Sequence, residues 1–258
     1  MKIEAKKQFG QNFLKDESIV HKIVESMPKD GKQIVEIGPG LGDLTSMLLK
    51  FERVKAYEVD RDLCPILEQK FRQEIVSDRF SLICTDVLEY WESHSSLNES
   101  RYNLVANLPY YISTTIILKA FEDENCDEIL VMTQLEVAQK FAADVGNSEF
   151  SSLGVLTQLI GSAQILFEVP PEAFDPIPKV TSAVLQIKKS NHTVITREFK
   201  EFLKTAFSQP RKTLLKNLSS KFDKSAIRDV YIELQIPENF RPHQTSTEQY
   251  KKIYEHIG

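Results

Sequence analysis

The eleven residues Val35–Thr45, "VEIGPGLGDLT", decide how the rest of this chain is read. The short apolar run Gln33–Ile37 ends in glycines at 38, 40 and 42, and Asp43 then opens a helix-like stretch. Glycines in such a turn let the backbone bend tightly and approach a ligand closely. The spacing is not the dinucleotide fingerprint G-x-G-x-x-G, because the third glycine comes one position early and Asp43 takes the last place. A Walker lysine is missing as well. The turn predicts an α/β nucleoside site without a pyrophosphate anchor. A glycine-rich turn can also serve packing alone, so its meaning depends on the residues at the later strand ends.

Working outward, "RVKAYEV" (53–59), "FSLIC" (80–84), "YNLVA" (102–106), "EILVM" (128–132), "QILFEV" (164–169) and "TSAVLQIK" (181–188) complete seven strand candidates. Nearly continuous apolar strands separated by helix-length segments predict a parallel sheet covered on both faces, a Rossmann-like α/β fold. The last two strands are joined by the proline-rich "VPPEAFDPIPKV", which suits an antiparallel edge hairpin. After Lys189 the pattern becomes helical. Phe199, Phe202, Leu203, Ala206 and Phe207 fall on one face, Pro210 suits the first turn of a second helix, "SAIRDVYIEL" reads as a third, and "STEQ" (246–249) is a capping box for a last one. The expectation is a catalytic domain at 1–189 and a small all-α domain at 190–258.

The 258 residues, 41% of them hydrophobic and 27% charged, suffice for one large and one small domain. With no apolar run near the ~20 residues of a membrane span and no apolar signal core in "MKIEAKKQFG", a cytoplasmic protein is expected. Cys64, Cys84 and Cys126 are scattered, so free thiols and no metal site are expected. The net charge of −5 counts against a polyanion partner, but its distribution does not: residues 179–217 hold nine Lys and Arg against two acids. Lys2, Lys6, Lys7 and Lys15 add to this against Glu4. Sorted charge of this kind fits a nucleic-acid surface, and equally a solvated helix face.

Two acids come after the glycine turn at informative places. Glu58 ends the second strand, where a carboxylate can accept both hydroxyls of a ribose. Asp86 follows the third strand, where it can accept from an adenine amino group or cap the next helix. With Gly38, Glu58 and Asp86 in this order, the ligand implied is an adenosine without pyrophosphate, and S-adenosylmethionine fits that description. After the fourth strand comes "NLPYYIST" (107–114). An adenine amine is a weak nucleophile, and methylating it requires acceptors for its protons. The Asn107 side-chain oxygen and the Leu108 carbonyl offer them. Pro109 stiffens the turn, and Tyr110 offers a face for a flipped or unpaired base. A tight turn capped by Ser113 or Thr114 is the plain alternative. Tyr111 is not explained by this chemistry and is expected to pack against the helical layer or a lid.

The segments "KKQFGQNFL", "VEIGPGLG", "NLPYYIST", "AFDPIPKVTSAV" and "FSQPRKTLLKNL" occur in the order found in the KsgA/RsmA family of small-subunit ribosomal RNA adenine dimethyltransferases, and the chain resembles that family from Lys6 to its final helix. The resemblance implies a seven-strand S-adenosylmethionine-dependent methyltransferase sheet. It assigns Asn12, Leu14, Gly38, Gly40, Glu58, Asp86 and Asn107 to the cofactor. Asn107, Leu108, Pro109 and Tyr110 go to the target adenine, with Phe174 as a second aromatic wall. Lys6, Lys7, Arg211 and Lys212 go to RNA, Phe207 and Gln209 belonging to the same helical-domain motif. The implied substrate is a pair of adjacent adenosines in the 3′-terminal hairpin loop of 16S rRNA, reached in an immature 30S particle during ribosome biogenesis. A monomer is expected. Three positions depart from the family pattern: Tyr111 replaces an asparagine, Pro210 removes one basic residue, and Thr181 stands for an aspartate. Two alternatives remain, a large-subunit adenine methyltransferase of the macrolide-resistance type and a non-catalytic assembly factor. DNA adenine methyltransferases favour a different target-site motif.

Overall fold

The computed structural model describes residue 6, residues 9–190 and residues 193–258. Seven strands form one sheet: β1 (Gln33–Ile37), β2 (Val54–Glu58), β3 (Phe80–Cys84), β4 (Tyr102–Asn107), β5 (Cys126–Gln134), β6 (Gly161–Val169) and β7 (Ser182–Lys189). Their order is β3-β2-β1-β4-β5-β7-β6, with β3, β2, β1, β4 and β5 parallel in succession and β7 antiparallel to β5. This matches the α/β expectation and sets β6 at the edge beside β7. The central strands are apolar on both faces because helices cover both: Ile34, Val35, Leu104 and Val105 are 0% exposed.

The register explains why the chemistry gathers at one edge. Parallel strands present their C-terminal ends together, which puts Ile37, Glu58 and Asn107 along one rim. Reversal of β7 brings its first residue to the same rim, since Ser182 pairs with Gln134 at the end of β5. A further two-residue bridge, Phe13–Leu14 against Phe174–Asp175, ties the N-terminal segment to the linker between β6 and β7.

The chain divides into two compact units, Met1–Ala138 with Gln164–Lys189, and Gln139–Ala163 with Ser190–Gly258. The segment 139–163, read from sequence as part of 1–189, therefore clusters with the helices after 190. Within that second unit Gly146 N–H donates to His243 O at 2.7 Å, the Thr247 hydroxyl donates to Gln158 Oε1 at 2.6 Å, and Phe150 meets Phe207 edge-on. The helix expected from Pro210 begins at Leu214, where Thr213 supplies the cap through Lys216 N. The expected capping box is present, Ser246 and Gln249 bonding each other's backbone at the start of Thr247–Ile257. One expectation for the cysteines is corrected: Cys64 and Cys84 form a disulfide, their Cα atoms 6.3 Å apart, and Cys126 alone is a buried free thiol. Among the described residues no helix is long and apolar enough to cross a membrane.

Candidate active site

The glycine turn is shaped by its backbone. Gly38 and Gly40 have φ of +69° and +59°, values that side chains disfavour. A Cβ on Gly40 would stand 3.2 Å from the Phe13 ring, so the glycine also admits the N-terminal segment at close range. Behind the turn, Glu58 is 4% exposed and held by two amides: Gly40 N–H donates to Oε2 at 3.2 Å and Asp60 N–H to Oε1 at 2.9 Å. Burial pushes its carboxyl above the ordinary range, and those two amides counter the shift. Glu36, 1% exposed, accepts the Thr45 hydroxyl at 2.6 Å. Burial raises its pKa to about 8, with the Glu58 carboxylate adding to the rise.

The Asn107–Tyr110 turn leaves β4 on this rim. Leu108 N–H donates to Met132 O at 3.0 Å, and the turn is braced by a buried hydroxyl chain in which Thr133 donates to Ser113 at 2.8 Å and Ser113 to Tyr110 O at 3.1 Å. The Tyr110 hydroxyl shares a 2.6 Å hydrogen bond with the Ser182 hydroxyl, which fixes the ring. The Asn107 amide donates through Nδ2 to Asn12 O at 3.3 Å. Of the two places expected for Tyr111, the helical layer or a lid, the ring lies toward the second: it is 61% exposed and 3.1 Å from where a Cβ on Gly10 of the N-terminal segment would be.

One open cleft joins these pieces. Of the residues assigned from sequence, Asn12, Leu14, Gly38, Gly40, Glu58, Asn107, Leu108, Pro109 and Tyr110 all line it. The side chains lining it include the carboxyls of Glu36, Asp43 and Glu58 but no lysine or arginine among the described residues. These acceptors suit a ligand that presents hydrogen-bond donors or positive charge, and no cationic side chain among the described lining residues is placed for a pyrophosphate.

Five other assigned residues, Asp86, Phe174, Lys6, Arg211 and Lys212, do not line the cleft. Asp86 caps the helix Val87–Ser93, its Oδ1 accepting Leu88 N–H at 2.8 Å, and does not line the cleft. Phe174 is 3% exposed within the hydrophobic core, drawn in by its pairing with Leu14, so its ring is not a surface of the cleft. The Lys6 ammonium is ion-paired with Asp60 at 2.6 Å and Asp62 at 2.5 Å. Lys7 lies outside the described residues. Arg211 and Lys212 are exposed in the turn after the helix Arg197–Ala206, whereas Lys189, counted in the basic stretch, donates inward to Ala120 O and Asp123 O. Sequence reading missed Asp60, Gln11 and Ser182. The one available signal was "EVDRD", where Asp60 alternates with Glu58 on a strand end.

A family model described as ribosomal RNA adenine dimethylase matches residues 2–258. The chain is 54% identical over 254 residues to a protein of Aliarcobacter butzleri named ribosomal RNA small subunit methyltransferase A, covering 98% of this chain and 96% of that one. A protein of the same name from Campylobacter jejuni is 50% identical over 258 residues, covering 99% and 96%. Among solved structures, a dimethyladenosine transferase from Plasmodium falciparum superposes with a TM-score of 0.78 at 23% identity, over 93% of this chain and 95% of that one. The 23S rRNA methyltransferase ErmE superposes at 0.72 with 22% identity, over 95% and 99%. These two structural likenesses establish the shared fold.

Proposed function

The chain belongs to the ribosomal RNA adenine dimethylase family, and on that premise we propose that it transfers methyl groups from S-adenosylmethionine to N6 of two adjacent adenosines in the 3′-terminal hairpin loop of 16S rRNA, yielding N6,N6-dimethyladenosine during ribosome biogenesis. The observation that carries the reading is the meeting, in one cleft without cations among its described residues, of a nucleoside-type glycine turn and the Asn107–Tyr110 turn. When bound, S-adenosylmethionine supplies an electrophilic methyl on a sulfonium. Glu58 accepts the ribose hydroxyls with lone pairs its two amides leave over, and Asp86 Oδ2 accepts the adenine amino group while Oδ1 keeps its cap. Asn107 Oδ1 and the Leu108 carbonyl accept hydrogen bonds from the N–H groups of the target amine, which aims the nitrogen lone pair at the methyl. Tyr110 stacks on the base. No general base is needed, because the alkylated amine is strongly acidic and loses its proton to a carbonyl or water. Rate comes from positioning and from a polar cage around the developing charge.

In this reading residues 1–189 hold the catalytic machinery and the helices after 190 face the RNA, with Arg211 and Lys212 on phosphates. The protein works in the cytoplasm as a monomer on the immature 30S particle. The test is incubation with methyl-labelled S-adenosylmethionine and, separately, immature 30S particles, 50S particles and naked DNA. Label confined to the 30S RNA is expected. Label on the 50S RNA would make it a large-subunit enzyme, and no label on any would make it an assembly factor.

A further inference from the structure

A strap, residues 9–15, crosses the cleft and is pinned at both ends. At its far end the Phe13–Leu14 bridge holds it to Phe174–Asp175, and Lys15 N–H donates to Ala173 O at 2.8 Å. At its near end everything converges on Asp60, which is 2% exposed and lines no part of the cleft. Its Oδ1 accepts from Lys6 Nζ at 2.6 Å and Asp62 N–H at 3.1 Å, and its Oδ2 accepts from Gln11 Nε2 at 2.9 Å. The other end of the Gln11 amide, Oε1, accepts Lys6 N–H at 2.7 Å. With both ends bound, the Gln11 side chain has one orientation.

The next residue is Asn12, whose carbonyl receives the Asn107 amide. A carbonyl can only accept, so the atom facing it is the Asn107 nitrogen and the oxygen is turned the other way. This orientation matters because the two ends of a primary amide have the same shape and opposite hydrogen-bonding character. Released from the strap, Asn107 could rotate its NH2 toward the target amine, and donor would then face donor.

We propose that Asp60 and Gln11 are positioning residues that latch the strap over the cleft, so that the Asn12 carbonyl holds the Asn107 amide with its oxygen toward the target amine. The proposal rests on the reading of Asn107 as an acceptor for that amine. The latch also shares a turn with the ribose carboxylate, since the Asp60 backbone N–H is donated to Glu58. That bond comes from the main chain, so replacing the Asp60 side chain leaves it in place.

The test uses the full-length protein with immature 30S particles and measures single-turnover methyl transfer at saturating cofactor, with S-adenosylhomocysteine affinity measured separately by calorimetry. Asp60→Asn keeps size and an acceptor for Lys6 but turns an amide donor toward Gln11 Nε2. A loss of about tenfold in the transfer rate is expected, the scale of one hydrogen bond to a charged group. Gln11→Ala should lose a similar factor, and the double substitution should lose little more, because both remove one latch. Asp60→Asn combined with Gln11→Glu reverses the polarity of the pair and should return the rate to within about threefold of the original. Additive losses, no rescue by the reversed pair, or a change confined to S-adenosylhomocysteine affinity with an unchanged saturated rate would each overturn the latch. If the unsubstituted protein itself transfers no label to the particles, the rRNA reading fails along with it. Transfer by the unsubstituted protein at a rate that Asp60→Asn does not alter overturns the latch alone.

Discussion

The cleft of the sheet unit and the turn 208–213 of the helical unit are built on contrary electrostatic plans. The cleft buries its carboxyls: Glu36 and Glu58 are 1% and 4% exposed, held by a hydroxyl and by main-chain amides, and no lysine or arginine among the described residues lines it. The turn leaves Arg211 and Lys212 in solvent. The difference reflects what each would hold. A small cationic ligand is bound tightly by desolvated, fixed acceptors, whereas a polyanion is bound by solvated cations that release its counter-ions.

The two regions should therefore fail differently. The largest effect belongs to the cleft. Asn107→Ala removes the amine acceptor and should slow transfer by about 10²–10³-fold, comparable to loss of one preorganised transition-state group, while S-adenosylhomocysteine affinity by calorimetry stays nearly unchanged. Transfer at the original rate would remove Asn107 from the chemistry. A smaller effect, of another kind, is expected at the turn. Charge reversal at Arg211 and Lys212 should weaken RNA binding and lower the slope of log affinity against log salt by roughly one to two, with cofactor affinity untouched. An unchanged slope would move the RNA surface elsewhere.

The smallest effect sharpens the contrast within the cleft itself. The folded chain holds a proton on Glu36 up to a pKa of about 8, well above the ordinary 4.5, while the unfolded chain releases it near the ordinary value. Stability from this group is thus complete below 4.5 and lost as pH rises through 8. Melting temperature between pH 5 and 9 should fall more steeply for the unsubstituted protein than for Glu36→Gln, by a few degrees across the range. Identical slopes would mean that Glu36 is ionised in the fold.

How much could be read in advance divides along the same physical lines. The central parallel strands were legible because buried parallel strands are written as nearly unbroken apolar runs, and Ser246–Gln249 was legible because a capping box is local. The site was legible wherever function rests on a strand end or a turn, as at Gly38, Glu58 and Asn107. It was illegible wherever a partner is distant in the chain. Asp60 reads as one more acid in "EVDRD", since Lys6 and Gln11 lie 54 and 49 positions away. Ser182 is 72 positions from the tyrosine it orients. The allegiance of 139–163 was hidden for a related reason: the helix Ser152–Ile160 has a buried apolar face, and no local pattern says which unit covers it. Phe174, expected as an aromatic wall of the target pocket, is drawn into the core by its pairing with Leu14.

Dimethylation of adenosine N6 in small-subunit rRNA by this cleft is read most directly by nucleoside mass analysis of 16S rRNA recovered from immature 30S particles after reaction with S-adenosylmethionine. N6,N6-Dimethyladenosine is expected only in the 3′-terminal hairpin loop, at the two adjacent adenosines. Methylation of any other base, of ring nitrogens rather than N6, or of adenosines outside that loop would contradict it.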